Sequence, residues 1–432
     1  MKINIKEHPK EGLIKIIQKK FFSLPISIKM VSFSFFIFML GWGLGADTFF
    51  SVYVKTIVDN IFWVSIIGAI LAGAKMIFTL PIGELDDHTN MKYVIFLSKI
   101  FYAIAAIFYF FAGVFFSIEI LLVAVIFNGI ATASLLVTYQ TYIRHRVKKN
   151  NSGTSFGLFF SSANLALVLG SLLVALFIDY IDLHYVFIFL FLFSILSLFT
   201  DNKLPEFKDK RLKEIFQKES FLHQFFRSIF SFGSFKRVFE TLRNSSKKLI
   251  GPISFEFAFN ALNYIGFLFI PIVSIQNNLS LAQIAIIVAV MRAPYLIGFF
   301  SGSIADKFNK KAFVLLIFLF LSFMYTLLGY NEGFRAIITI SFGIALGLAA
   351  IRPVISGLIS DNVKSNDIGT ITGVGEFTGR LGDIFGAIIF GILSGIIGIS
   401  GSFIFIGIAL FVISLRLLLR SRGFIGSIKF RK

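Results

Sequence analysis

Twelve long apolar runs follow one another along this chain of 432 residues: 31–54, 61–82, 93–116, 118–143, 153–178, 182–200, 250–275, 281–303, 312–330, 335–359, 368–395 and 398–419. Each supplies the roughly 20 apolar residues that an α-helix needs to cross the hydrocarbon core of a bilayer. The alternating segments of about ten residues that build an outer-membrane barrel are absent from the sequence. Composition agrees, with 56% hydrophobic and 15% charged residues, where a soluble domain carries about 45–50% and ~25%. The mean hydropathy of +0.86 is too high for a core wrapped in a polar shell. An all-α, multi-pass membrane protein with twelve transmembrane helices is therefore expected. The chain has no cysteine. That excludes a disulfide scaffold, a thiolate metal site and a cysteine nucleophile, and says nothing about redox compartment.

A net charge of +18 would suggest a nucleic-acid partner if the charges were clustered on a folded face. They are instead distributed by membrane side. With the N-terminus placed inside, 34 of the 41 Lys and Arg fall in cytoplasmic tails and loops, Lys55 and Arg335 fall outside, and five lie within the runs. This bias predicts that both termini are cytoplasmic and that the basic surface meets anionic lipid headgroups of the cytoplasmic membrane. No nucleic-acid partner is needed.

The expected organisation is a basic N-terminal segment (1–30), a first six-helix bundle (31–200), a basic linker (201–248), a second six-helix bundle (249–420) and a short tail (421–432). Within the first segment, GLIKIIQKKFF at 12–22 alternates Lys with apolar residues at near-helical spacing, as in an interfacial helix. The run 31–54 is too long for the apolar part of a secretory signal, about 7–15 residues. The linker interleaves twelve basic and six acidic residues with Phe and Leu. It reads as a connector rather than a folded domain.

Near-equal halves invite a search for an internal repeat. After the second run stands GELDDHTNMK, from Gly83 through Asp87 and Asn90 to Lys92; after the eighth stands GSIADKFNKK, from Gly302 through Asp306 and Asn309 to Lys310 and Lys311. The fifth run has Gly153, Gly157, Asn164 and Gly170, and the eleventh has Gly369, Gly373, Arg380 and Gly386. The two registers differ by only three residues, so the halves read as parallel copies.

Twelve helices as six plus six, with a G-x-L-x-D-x-x-G-R/K-R/K loop after the second and eighth, resemble the major facilitator superfamily. The resemblance extends from Val31 to Leu419. In the first copy Asn90 replaces the second glycine and Met91 a basic residue; Asn tolerates a left-handed backbone, so the turn can survive. The resemblance implies a secondary transporter working by alternating access, with helices 1, 4, 7 and 10 around a central cavity and 2, 5, 8 and 11 beside it. It also implies that the two loops, with Gly83, Asp87, Lys92, Gly302, Asp306, Lys310 and Lys311, act in gating, with Arg144 and Arg146 as candidate partners of Asp87. The helix-5 motif associated in this superfamily with drug/proton antiporters is not intact: NLALVLGSLLVALF keeps Gly170 without the proline or paired glycines.

Eight charges are placed at membrane depth, Asp47, Lys75, Glu256, Arg292, Arg352, Glu376, Arg380 and Asp383, while Lys99 lies near the cytoplasmic end of the third run. Charge at membrane depth is costly and should face protein or a water-filled cavity. Glu376, Arg380 and Asp383 share one helix face at i,i+4 and i,i+3 spacing, giving either a static clamp or a set that exchanges partners. Arg292 and Arg352 suit an anionic or polar solute, or pair with Glu256 or Glu376. Counting about 1.5 Å per residue from the cytoplasmic ends, five second-half charges, Glu256 to Arg380, form one expected network. Asn260 and Asn263 extend a polar stripe from Glu256. Asn128, Tyr139, Gln140, Asn164 and Tyr264 are further polar candidates, for solute contact or interhelical bonds. No histidine lies deep in a run, so a coupled proton would ride on a carboxylate, and Asp47 and Glu256, having no adjacent base, are preferred.

The functional expectation is a transporter of a small polar or amphiphilic solute, coupled to a proton or other cation, monomeric, with no cofactor, no metal site and no enzymatic activity. No Walker A sequence points to ATP as the driving force. The alternatives are a receptor or regulator on the same scaffold, or a drug-efflux antiporter.

Overall fold

The computed structural model describes residues 24–88, 90–146, 152–204, 247–296, 309–361 and 368–420. These form α1 (Ile26–Leu44), α2 (Ala46–Val58), α3 (Ile61–His88), α4 (Met91–Phe115), α5 (Ile118–Arg146), α6 (Ser152–Ala175), α7 (Val186–Asp201), α8 (Lys247–Gln276), α9 (Leu281–Arg292), α10 (Lys310–Tyr330), α11 (Phe334–Asp361) and α12 (Ile368–Arg420). Among the described residues there is no strand, and ten helices are long and apolar enough to cross a membrane. The apolar helix Leu281–Leu296 is shorter; the rest of the run 281–303 lies outside the described residues, as does the amphipathic stretch 12–22.

The run read as one helix over 31–54 starts earlier, at Ile26, and is broken. Gly45 leaves the helical region (φ −128, ψ −84) between α1 and α2. The Thr48 hydroxyl donates to the Gly43 carbonyl and meets Ser171 Oγ at 2.7 Å, so the break leaves that acceptor satisfied. At the other end of the chain, α12 runs 53 residues, about 80 Å if straight. It turns at Gly398, whose φ of 74 belongs to the region open to glycine. Across the turn Phe390 and Phe403 lie 4.7 Å apart and Ser394 and Ser402 share a 3.3 Å hydrogen bond. Thirteen residues of straight helix would hold those rings about 20 Å apart. Two antiparallel legs result, close to the runs 368–395 and 398–419.

Packing follows two groups. In the first, α1 packs on α6 and α7, α4 on α5 and α7, and α3 on α5. In the second, α8 packs on α11 and α12, α10 on α11 and α12, and α9 on α11. The groups meet along α3–α12, α6–α9 and α2–α8. Large apolar side chains such as Leu176, Phe199, Ile396 and Phe411 face outward. That exposure costs nothing against lipid tails, where close packing rather than hydrophobic exclusion holds helices together.

The repeat is visible at the points of closest approach. A Cβ on Gly170 of α6 would lie 2.7 Å from the Leu40 carbonyl of α1, and one on Gly386 of α12 would lie 2.8 Å from the Ala261 carbonyl of α8. Each glycine lets its helix touch the backbone of the first helix of its own half. Asn90 and Asn309, the paired loop asparagines, cap α4 and α10 by accepting the amides of Lys92 and Lys311, both at 3.1 Å. Asn90 is extended rather than left-handed (φ −75, ψ 108); its side chain, not its tolerance of positive φ, suits it to the position. Of the other motif residues, Gly302 and Asp306 fall outside the described residues, as does the Asp87 side chain.

Gly170→Val and Gly386→Val are each expected to destabilise by about 1–3 kcal/mol through overpacking. Gly157→Val, at a glycine with nothing within 4 Å, should leave the thermal unfolding midpoint close to wild type. Equal midpoints for all three would refute the close-approach role.

Candidate functional site

The charges gather along the seam between the two groups. The break at Gly45 places Asp47 in the first turn of α2. Arg292 is the last residue of α9, before a 3-10 turn through Pro294. The two meet across 245 residues of sequence: Arg292 Nε donates to Asp47 Oδ2 at 2.8 Å and Nη2 to Oδ1. The guanidinium lies 3.8 Å from the centre of the Phe267 ring of α8. Side-chain exposure is 10% for Asp47 and 19% for Arg292, so a bidentate, charge-assisted pair ties the halves together in a poorly solvated place.

On α12, Arg380 Nη1 donates to Asp383 Oδ2 at 3.1 Å. Glu376, one turn earlier, has no ion pair within 4 Å among the described residues. Asn260 of α8 packs against Gly379 and donates to Glu256 Oε1 at 3.0 Å. Tyr295 donates to Asn263 Oδ1 at 2.8 Å. Tyr264 crosses the seam to the Gly68 carbonyl at 2.7 Å, and the Ala282 amide at the start of α9 reaches Asp179 at 3.1 Å. Beside Lys75 on α3, Met76 and Leu80 pack with Ile253, Val374, Phe377 and Leu381, which brings α3, α8 and α12 side by side. Lys75 is within electrostatic reach of Arg380, Asp383, Asp47 and Arg292, and Glu256 of Arg352, Glu376 and Asp383. Arg352 on α11 is exposed. The seam thus holds four acids and four bases.

Sequence comparison gives this arrangement its context. The model of the Major Facilitator Superfamily matches residues 31–289 and 253–431. The chain belongs to that superfamily. It is 23% identical over 380 residues to an uncharacterized MFS-type transporter of Methanocaldococcus jannaschii, covering 87% of this chain and 93% of the relative. Its fold is similar to that of a POT family transporter solved with 5-aminolevulinic acid (TM-score 0.73, 15% identity, 94% of this chain and 98% of that one). It is also similar to the nucleoside transporter NupG (TM-score 0.68, 15% identity, 93% and 100%). This superfamily member is a multi-pass membrane protein of a transporter family.

Three expectations are corrected by the geometry. Asp47 is not without a base, because Arg292 arrives from the other half; the preference for it as a proton carrier loses its ground, whereas Glu256 keeps its own. Arg292 pairs with neither Glu256 nor Glu376, so the network is not confined to the second half. The Glu376–Arg380–Asp383 clamp reduces to Arg380–Asp383. Among the uncharged candidates, Asn128 donates to Tyr109 at 2.9 Å and Asn164 to the Phe160 carbonyl of its own helix, the interhelical and local alternatives to solute contact. In the loops, Lys92 Nζ reaches the Asn202 carbonyl at 2.8 Å at the end of α7. A Cβ on Gly357 would lie 3.3 Å from Lys310 Nζ, and Lys311 is exposed.

Sequence reasoning noted Lys99 but missed the buried charge cluster it forms. Lys99 of α4, 0% exposed, forms an ion pair with Asp201 at the end of α7, 3% exposed. Lys99 also donates to Ser34 Oγ at 2.9 Å and to the Ser197 carbonyl at 3.3 Å. Ser34 and Tyr139 in turn donate to Asp201 Oδ1 at 2.5 and 3.0 Å. Asp201, counted with the linker, is the last residue of a helix and buried. The one available signal was a lysine inside an apolar run, which requires a counter-ion at the same depth.

Lys99→Met leaves Asp201 buried without its cation and is expected to cost about 3–5 kcal/mol. Lys99→Met/Asp201→Leu should recover most of that loss in thermal unfolding. A double variant no more stable than the single would show that the pair is not what Lys99 contributes.

Proposed function

We propose that this protein is a secondary transporter that moves a small polar solute across the cytoplasmic membrane by alternating access. In this reading the chain crosses the membrane twelve times, as bundles 31–200 and 249–420 joined by the cytoplasmic linker 201–248, with both termini inside. The carrying observation is the bidentate Asp47–Arg292 pair between halves. With the N-terminus inside, Asp47–Arg292, Tyr264–Gly68 and Asp179–Ala282 all fall in the outer half of the membrane. Exposed Arg352 falls in the inner half. That distribution supports an outer latch between the halves, and on the inner side Met76 and Leu80 also pack with Ile253, Val374 and Phe377. Glu256, hydrogen-bonded to Asn260 and without an ion pair, is the proposed proton carrier, and the motif loops with Lys92, Lys310 and Lys311 are the proposed inner gate.

Because the chain lacks cysteine, spin labels can be placed at chosen pairs. Glu119→Cys/Glu332→Cys reports on the outer ends of α5 and α11, and Lys203→Cys/Asn309→Cys on the inner ends of α7 and α10. Asp47→Asn and Arg292→Gln are each expected to lengthen the outer distance. Distributions identical to those of the parent in both pairs would contradict a latch between halves.

A further inference from the structure

The eight seam charges divide into two sets. Asp47–Arg292 and Arg380–Asp383 neutralise each other in place. Lys75, Arg352, Glu256 and Glu376 have no ion pair within 4 Å among the described residues, although they lie along the same packed seam of α3, α8, α11 and α12. With Glu256 deprotonated, the unpaired set contains two cations and two anions. In a low-dielectric seam, charges of opposite sign held apart are stabilised by something polar between them, and their sum constrains what that can be.

A singly charged solute would leave this balanced set with net charge. A solute carrying one cationic and one anionic group would not. Geometry selects the ends: Glu256 is fixed by Asn260, with Glu376 on the neighbouring α12, whereas Arg352 is the exposed cation on α11. Arg352 presents a planar fork suited to a carboxylate. Resting on the transporter reading, we propose that the solute is a zwitterion whose ammonium group is taken by Glu256 and whose carboxylate is taken by Arg352. Lys75 and Glu376 complete the electrostatic surround, and Arg380 stays with Asp383 throughout.

The proposal separates zwitterions from their singly charged derivatives. Purified full-length protein is titrated with glycine, β-alanine, 4-aminobutanoate and 6-aminohexanoate, and with the N-acetyl and methyl ester form of each. At least one parent compound is expected to bind, with both of its derivatives at least about tenfold weaker, the scale of one lost charge-assisted contact. In Glu256→Gln the discrimination against the N-acetyl form should fall to within about threefold while that against the ester persists; Arg352→Gln should do the reverse. Charge-neutral Glu256→Gln/Arg352→Gln, checked for folding by its thermal midpoint, should lose both preferences. The proposal is overturned if a singly charged derivative binds as tightly as its parent, or if no zwitterion of any length binds. The spin-label distances keep the two readings apart, since outer and inner ends that still exchange would leave the transporter intact with a solute of another class.

Discussion

An ionised carboxylate at membrane depth must find its counter-charge in protein, and Asp47 finds it in the other half of the chain. That requirement organises much of what surrounds it. The Gly45 break puts Asp47 in the first turn of α2, the end of α9 delivers Arg292, and Phe267 covers the guanidinium. An ion pair inside one bundle would be a fixed structural element. Between bundles it is a contact that relative motion would have to break, so in the proposed alternating-access cycle the charge that is costly to bury would control conformation.

The two charge clusters differ in what they can do. Lys99 and Asp201 are fully enclosed by Ser34, Tyr139 and Ser197. All of these belong to helices of the first group, and each Asp201 oxygen faces a partner, Oδ1 the Ser34 and Tyr139 hydroxyls and Oδ2 the Lys99 ammonium. Such a site holds α1, α4, α5 and α7 at one relative setting. The seam charges are partly exposed, divided between halves and incompletely paired. A fully satisfied network rigidifies, whereas the incompletely paired seam charges can accept new partners.

Much of the fold was legible because its causes are local in sequence. Twenty apolar residues identify a spanning helix wherever it ends up, and the Gly170/Gly386 and Asn90/Asn309 pairs recur because each half needs the same close approach and the same helix cap. The helix breaks were less legible. Gly45 stands among Gly41 and Gly43 in an uninterrupted apolar run, and composition does not say which glycine leaves the helix. Gly398 stands at the start of the run 398–419, so the boundary was read close to the turn but not the glycine that makes it. The candidate charges were legible one by one, their partners only in part. Of the three residues read as sharing one face of α12, Arg380 and Asp383 pair, at the i,i+3 spacing. Asp47–Arg292 spans 245 positions, and nothing periodic announces it. Asp201 was hidden by its neighbours, since a polar linker begins directly after it.

The most direct measurement is charge exchange at the seam. Asp47→Arg and Arg292→Asp each place two like charges in contact, and each is expected to open the outer side as read by labels at Glu119→Cys and Glu332→Cys. Asp47→Arg combined with Arg292→Asp restores opposite charges at the same position and should return the outer distance toward the parent value. A combined variant that stays as open as either single one would show that attraction between Asp47 and Arg292 does not hold the two halves together.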